Sequence, residues 1–472
     1  MKKRLLSLTL AALMVLCLLS GCGGSGNDNS SQGGGSSSSS GQSGDADAAE
    51  GKILNIYVWN DEFQGKFNAN YPGVKELSSD RSITYLENGV EVHWIINPNQ
   101  DGVYQQKLDE ALGKQASVSA DNKIDMFLVE ADYALKYIDP DVGVAMPLSE
   151  LGITAADVSN QYKYTQEAVT TADGELRALS YQATPGMLVY RRSIAKDVLG
   201  TDDPDTVAAA VADWDKFYET AEQVKAAGYY MYSGRTDTYR LYANNVSAPW
   251  VDANNNVVVD QNMMNWVERS KADTDNKINH NVGGQWIDEW NKDMGPDGKV
   301  FCFFLPAWGL DVCIAPNVAN TSAAEDWAVC PSPQGFYWGG TWLIAAVGTD
   351  NAATVKDIML KMTADTDILR SLAENNGEMS NDQPLMEELA KSPDFGIPLL
   401  GGQNYIGVLS DSAASISLAN VSPYDQGCTE CFLNTFGDYF NGNIDLEKAK
   451  ENFKVAIGER YPELAKGEVI WP

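Results

Sequence analysis

Four tryptophans, Trp59, Trp308, Trp338 and Trp342, stand at expected strand ends or in glycine-flanked turns, with short polar residues close by in sequence. Flat aromatic faces stack on the C–H faces of sugar rings, and carboxylates or amides take up the hydroxyl edges in pairs. Asn60, Asp61, Glu62 and Asp132 are the candidate polar partners, and Tyr181 and Gln182 form a second aromatic–amide pair. Core packing is an equally good reading for any single tryptophan, and it is the better one for Trp214, which lies on a helical stripe with Phe217, Ala221 and Val224. Catalytic machinery is not visible. There are two histidines, His93 and His280, in no metal-ligand spacing, and no G-x-S-x-G elbow. Every Gly-Lys pair lacks the Ser or Thr of a phosphate-binding loop. With 65 acidic residues, paired carboxylates arise by chance and carry no information about glycoside hydrolysis. Asn254-Asn255-Asn256 does not match a calcium loop. We therefore expect no catalytic residue, no metal and no cofactor.

Composition narrows the partners. The chain has 472 residues and a net charge of −31, and removal of residues 1–21 would take away Lys2, Lys3 and Arg4 and no acidic group, giving −34. A surface this acidic repels phosphate backbones and anionic headgroups, which argues against nucleic acid and against a peripheral membrane patch. Beyond Cys17 and Cys22, five cysteines remain: Cys302, Cys313, Cys330, Cys428 and Cys431. Cys428-Thr-Glu-Cys431 has redox spacing without the strand-to-helix setting that such sites use. These thiols are expected to be structural or inert, with their pairing open.

The N-terminus is read separately. Lys2, Lys3 and Arg4 precede a fifteen-residue apolar run, Leu5 to Leu19, broken only by Ser7 and Thr9. The run is too short to span a hydrocarbon core of about 30 Å and has the layout of a secretory signal. Its end, Leu19-Ser20-Gly21-Cys22, resembles the lipobox of bacterial lipoproteins. That resemblance implies cleavage before Cys22 and lipid on its thiol, holding the chain at the outer face of the membrane. Residues 23–51, nearly all Gly, Ser, Asn, Asp, Gln and Ala, cannot bury enough surface to order and form a tether with a reach of roughly 30 Å.

From Lys52 onward, strands and helices alternate. Strands are expected at 52–60, 90–96 and 124–130, with helices over 61–70 and 104–117 between them, the pattern of a parallel, doubly wound lobe. Further extended segments are expected at 175–181, 187–191, 229–233, 300–305, 327–331 and 341–347. Asp213 and Asp445 are expected N-caps of the helices that follow them. Other helices are expected over 352–363 and 366–375, the second stopped by Gly377.

This order resembles that of the family 1 extracellular solute-binding proteins of ABC importers, the maltose-binding-protein-like group. Leu54–Phe63 is similar to the family's first strand and helix start, and Ile124–Asp132 to a strand that delivers a polar ligand contact. Ser180–Tyr190 is similar to the first crossover between lobes, Trp214–Gly228 to the helix after it, and Leu305–Gly309 and Trp338–Ala345 to later cleft segments. Asn376–Asn381 departs from the family's proline-bearing turn. The resemblance implies two doubly wound α/β lobes of the type II periplasmic-binding kind, hinged around a cleft. Lobe 1 would hold 52–182 and 346–400, and lobe 2 would hold 183–345 and 401–472, after a signal at 1–21 and a tether at 22–51. It further implies a monomeric, non-enzymatic receptor that hands a carbohydrate to a permease. The ligand residues would be Trp59, Asn60, Asp61, Glu62, Asp132, Tyr181, Gln182, Trp308, Trp338, Gly339, Gly340 and Trp342. A peptide or polyamine receptor of the same fold is the next reading, and a tethered glycoside hydrolase the third.

Overall fold

The computed structural model describes residues 51–472. The signal, the lipidation at Cys22 and all of the tether before Gly51 lie outside the described residues. Among the described residues are twelve strands: β1 Ile53–Val58, β2 Val74–Leu77, β3 Ile83–Leu86, β4 Glu91–Ile96, β5 Met126–Glu130, β6 Leu179–Ser180, β7 Gly186–Arg191, β8 Val257–Val258, β9 Cys302–Pro306, β10 Trp327–Cys330, β11 Thr341–Ala345 and β12 Val469–Ile470. Seven form one sheet in the order β2-β3-β4-β1-β5-β11-β6, and three form a second in the order β10-β7-β9.

The centre of the larger sheet is parallel, with β1 between β4 and β5. Helices Glu62–Asn70 and Val103–Leu112 cross between these strands. Leu54, Ile56 and Val58 of β1 are buried, as are Met126 to Val129 of β5. Such near-continuous apolar runs suit strands covered on both faces. Each large apolar side chain so buried contributes about 1.5–3 kcal/mol. The sheet's flanks are antiparallel: β2 and β3 make a hairpin against β4, and β11 pairs antiparallel with both β5 and β6. In the smaller sheet β7 pairs antiparallel with β9 and β10, so the parallel winding belongs to lobe 1.

Two expectations need correcting here. Thr341–Ala345 belongs to the larger sheet, so the chain has already returned to lobe 1 before residue 345. Residues 229–233 form no regular strand, only single bridges from Tyr230 to Val300, just before β9, and from Tyr232 to Asn279. The caps fall where they were expected. Asp213 accepts from the Lys216 N–H and Asp445 from the Lys448 N–H, each worth about 1 kcal/mol. Gly377 ends helix Thr366–Asn376 at φ +67°, a conformation that disfavours a side chain. The chain passes between the sheets at 181–185 and 337–340, where Pro185 bridges Tyr337 and Gln182 bridges Ser380. Among the described residues no helix is long and apolar enough to cross a membrane.

Candidate functional site

Three strand ends meet where the two lobes face each other. β5 ends at Glu130, and helix Ala131–Ile138 follows with Asp132 in its first turn. β9 ends at Pro306 and leads into Ala307-Trp308-Gly309. β11 enters with Thr341 directly opposite Glu130, so the preceding Trp338-Gly339-Gly340 runs past the Glu130 side chain. Gly339 sits at φ +70°, and a Cβ there would lie 3.3 Å from Glu130 Oε1 and 3.7 Å from the Trp308 ring. Glu130 and Trp308, from different sheets, thus converge on one glycine.

The aromatic part of the site is a group of three indoles. Trp308 donates its Nε1–H to the Trp338 carbonyl at 3.1 Å. The Trp308 and Trp338 rings meet edge to face, 5.1 Å apart. Trp286 lies nearly parallel to Trp308, at 6.1 Å and 11°, and edge-on to Trp338 at 5.9 Å. Trp286 is 54% exposed, so it offers an open indole face.

The polar part is an ion pair across the cleft. Arg240, on helix Tyr239–Ala243 of the second lobe, donates to both oxygens of Asp132, at 3.2 and 2.8 Å. It is the one ion pair joining the two lobes among the described residues. The Arg240 guanidinium also lies over Trp338, 5.3 Å from the ring centre. Burial works to raise the Asp132 carboxyl, but Arg240 outweighs it and holds the group below the ordinary carboxylate range. Glu130 has the opposite balance. Burial first, then the charge of Asp132, push it up to about 8 against the pull of Arg240. One side of the pair borders a cavity of about 240 Å³, walled by Tyr239, Tyr337, Trp250, Asn244, Asn420 and Asp425 among others. Gln105 donates to Gln426 at 3.0 Å, a second polar contact between the lobes.

The other expected site residues are placed as follows. Glu62, Tyr181 and Gln182 gather around the buried Lys66 rather than around Asp132. Lys66 pairs with both Glu62 and Glu378. Tyr181 donates to Glu62 at 3.3 Å, and Gln182 to Glu378 at 2.9 Å. Burial disfavours the ammonium there, yet the two carboxylates keep it charged. These partners are thus engaged within the protein. Trp59 is half-buried and edge-on to Tyr104 at 5.6 Å. Asn60 and Asp61 are exposed, and Asn60 Oδ1 accepts from the Glu62 N–H. Trp342 is 2% exposed, packs in the core of lobe 1 and donates to the Thr165 carbonyl at 3.1 Å. Its ring explains Gly340, where a Cβ would lie 2.8 Å from it. The structure therefore brings Asp132, Trp308, Trp338 and Gly339 together and leaves Trp342 beneath them.

Sequence reasoning passed over Glu130, Arg240 and Trp286. Glu130 had a signal, as the last strand residue two before Asp132, and Trp286 followed Gly283-Gly284. Arg240 had none. All five cysteines of the described chain are buried and free of disulfides, and burial pushes the Cys313 thiol up to about 12, far from a reactive thiolate.

Two α/β lobes around a cleft at strand ends define the type II periplasmic-binding fold. The chain belongs to the bacterial extracellular solute-binding protein family, whose model matches residues 87–395. It is a family of extracellular binding proteins, not of enzymes. No curated protein matches the sequence. Among solved structures, an extracellular solute-binding protein of family 1 is similar at a TM-score of 0.67 and 17% identity, over 88% of this chain and 100% of that one. The ABC-transporter-associated binding protein of B. animalis subsp. lactis Bl-04, in complex with β-1,6-galactobiose, gives 0.66 and 19%, over 89% and 100%. The GacH receptor of Streptomyces glaucescens, solved unliganded and with acarbose, gives 0.62 and 15%, over 88% and 99%.

Proposed function

We propose that this protein is a lipid-anchored receptor that captures a carbohydrate in the cleft and delivers it to an ABC permease. The observation that carries the sugar is the meeting of the exposed Trp286 face with Trp308, Glu130 and Asp132. Apolar sugar faces stack on such indoles, hydroxyls donate to the Asp132 carboxylate, and the protonated Glu130 carboxyl can donate to a hydroxyl. The ligands named for the similar galactobiose and acarbose complexes are consistent with this chemistry. Arg240 holds Asp132 in place and supplies donors of its own, so the cleft can both give and accept hydrogen bonds. The anchor rests on the Leu19–Cys22 motif, and the permease partner on the family's extracellular binding role. A thermal-shift screen over mono- and oligosaccharides, peptides and polyamines tests the reading, because a ligand stabilises the folded state by mass action. A shift with sugars is expected. A shift confined to peptides or polyamines would overturn the carbohydrate assignment.

A further inference from the structure

The Asp132–Arg240 pair adjoins two sets of aromatic side chains. Arg240 lies over Trp338, which packs against Trp308 and Trp286. Both Asp132 and Arg240 also line the 240 Å³ cavity, with Tyr239, Tyr337 and Trp250 in its walls. That chamber also carries polar atoms with capacity to spare. Asp425 accepts from the Ser422 N–H and hydroxyl through Oδ1, at 2.9 and 2.6 Å, and no hydrogen bond to its Oδ2 is found among the described residues. Asn244 accepts from the Tyr337 N–H through Oδ1, which leaves its amide N–H₂ free to donate. Asn420 uses its N–H₂ on the Val246 carbonyl, which leaves its Oδ1 free to accept. Aromatic walls with unspent donors and acceptors repeat, at smaller scale, the chemistry of the tryptophan platform.

We propose that this chamber is a second carbohydrate subsite and that the ligand has at least two linked sugar units. One unit stacks on the Trp286–Trp308 platform, the linkage passes the Asp132–Arg240 pair, and the next unit enters the chamber. There Asp425 Oδ2 and Asn420 Oδ1 accept from its hydroxyls, and Asn244 donates to one. Asp425 suits this position twice over. Burial raises its carboxyl to about 7, so near neutrality part of the population can also donate. The inference rests on the carbohydrate reading above and adds to it chain length and the residues that sense it.

The experiment is calorimetry on the full folded domain with a matched series: each monosaccharide that shifts the melting temperature, and its β- and α-linked disaccharides and trisaccharides. A disaccharide should bind at least about tenfold more tightly than its monosaccharide, a step of about 1.4 kcal/mol. Ser417→Trp, from an exposed position on the chamber's rim, should lower the ratio of disaccharide to monosaccharide affinity by about tenfold. Asp425→Asn should change the same ratio, while the melting temperature of each unliganded variant reports its folding. Equal affinity for one unit and two overturns the second subsite, as does an unchanged ratio in a folded Ser417→Trp protein. Failure of every saccharide to bind instead overturns the carbohydrate reading itself, so the two failures are distinct.

Discussion

Removing Arg240 should loosen the two lobes by an amount set by the burial of the pair. Breaking one partner of a fully buried ion pair costs about 3–5 kcal/mol, and an exposed pair is worth about 0–1 kcal/mol. The side chains of Arg240 and Asp132 are 22% and 28% exposed, with two hydrogen bonds at 3.2 and 2.8 Å. Arg240→Ala should therefore destabilise the unliganded protein by about 1–3 kcal/mol, between those limits. Part of that loss comes from the contact with Trp338, so the pair itself is isolated by a double-mutant cycle with Asp132→Ala. Urea unfolding of the four proteins should give a coupling energy of about 1–2 kcal/mol. It should weaken only modestly in high salt, because the pair is largely shielded from solvent. Small-angle scattering should show the Arg240→Ala protein more open than the parent. A coupling below about 0.3 kcal/mol with unchanged scattering would refute the pair as a contact between lobes.

The tryptophans should separate cleanly. Trp286→Ala should leave the stability of the unliganded protein within about 0.5 kcal/mol yet weaken sugar binding about tenfold or more. Trp342→Ala should cost about 3–5 kcal/mol of stability as a core truncation, and equal unfolding midpoints for the two variants would sink this division. Stability should also fall as pH rises from about 4.5 to about 8. Over that window the folded protein keeps a proton on Glu130 that the unfolded chain, titrating near 4.5, has released. Asp425, raised from 3.8 to about 7, acts in the same direction, and Glu130→Gln should flatten the slope measured by unfolding across pH. Cys22→Ala should move the protein from the membrane fraction to the soluble one, since the proposed anchor is lipid on that thiol; retention in the membrane fraction would refute it.

Local chemistry made much of the fold legible. Asp213 and Asp445 announce their helices because a short acceptor before an amphipathic stripe meets free N–H groups. β1 and β5 stand out as apolar runs of the right length. The hairpin β2–β3 did not, because Val74–Leu77 is mostly exposed and Ile83–Leu86 is only four residues long. Helix Asp425–Phe440 was hidden behind Gly427 and a C-x-x-C that suggested other chemistry. At the site, Asp132 and Trp308 were readable as residues just past strand ends. Trp342 could not be told from them, because a strand buried on both faces gives no alternation to show which way its side chains point. Lys66 meets Glu378 across 312 positions of sequence, and Arg240 meets Asp132 across 108. Pairings of that kind are decided by the return of the chain between lobes, which no local pattern records.

A carbohydrate should occupy the cleft between Trp286–Trp308 and the Asp132–Arg240 pair. A crystal structure with the saccharide that gives the largest thermal shift would decide this. The expected result is a sugar ring on the face of Trp286 or Trp308, with hydroxyls within hydrogen-bond distance of Glu130 or Asp132. A sugar bound instead in the separate cavity bordered by Tyr230, His280 and Lys292, with the cleft left empty, would contradict it.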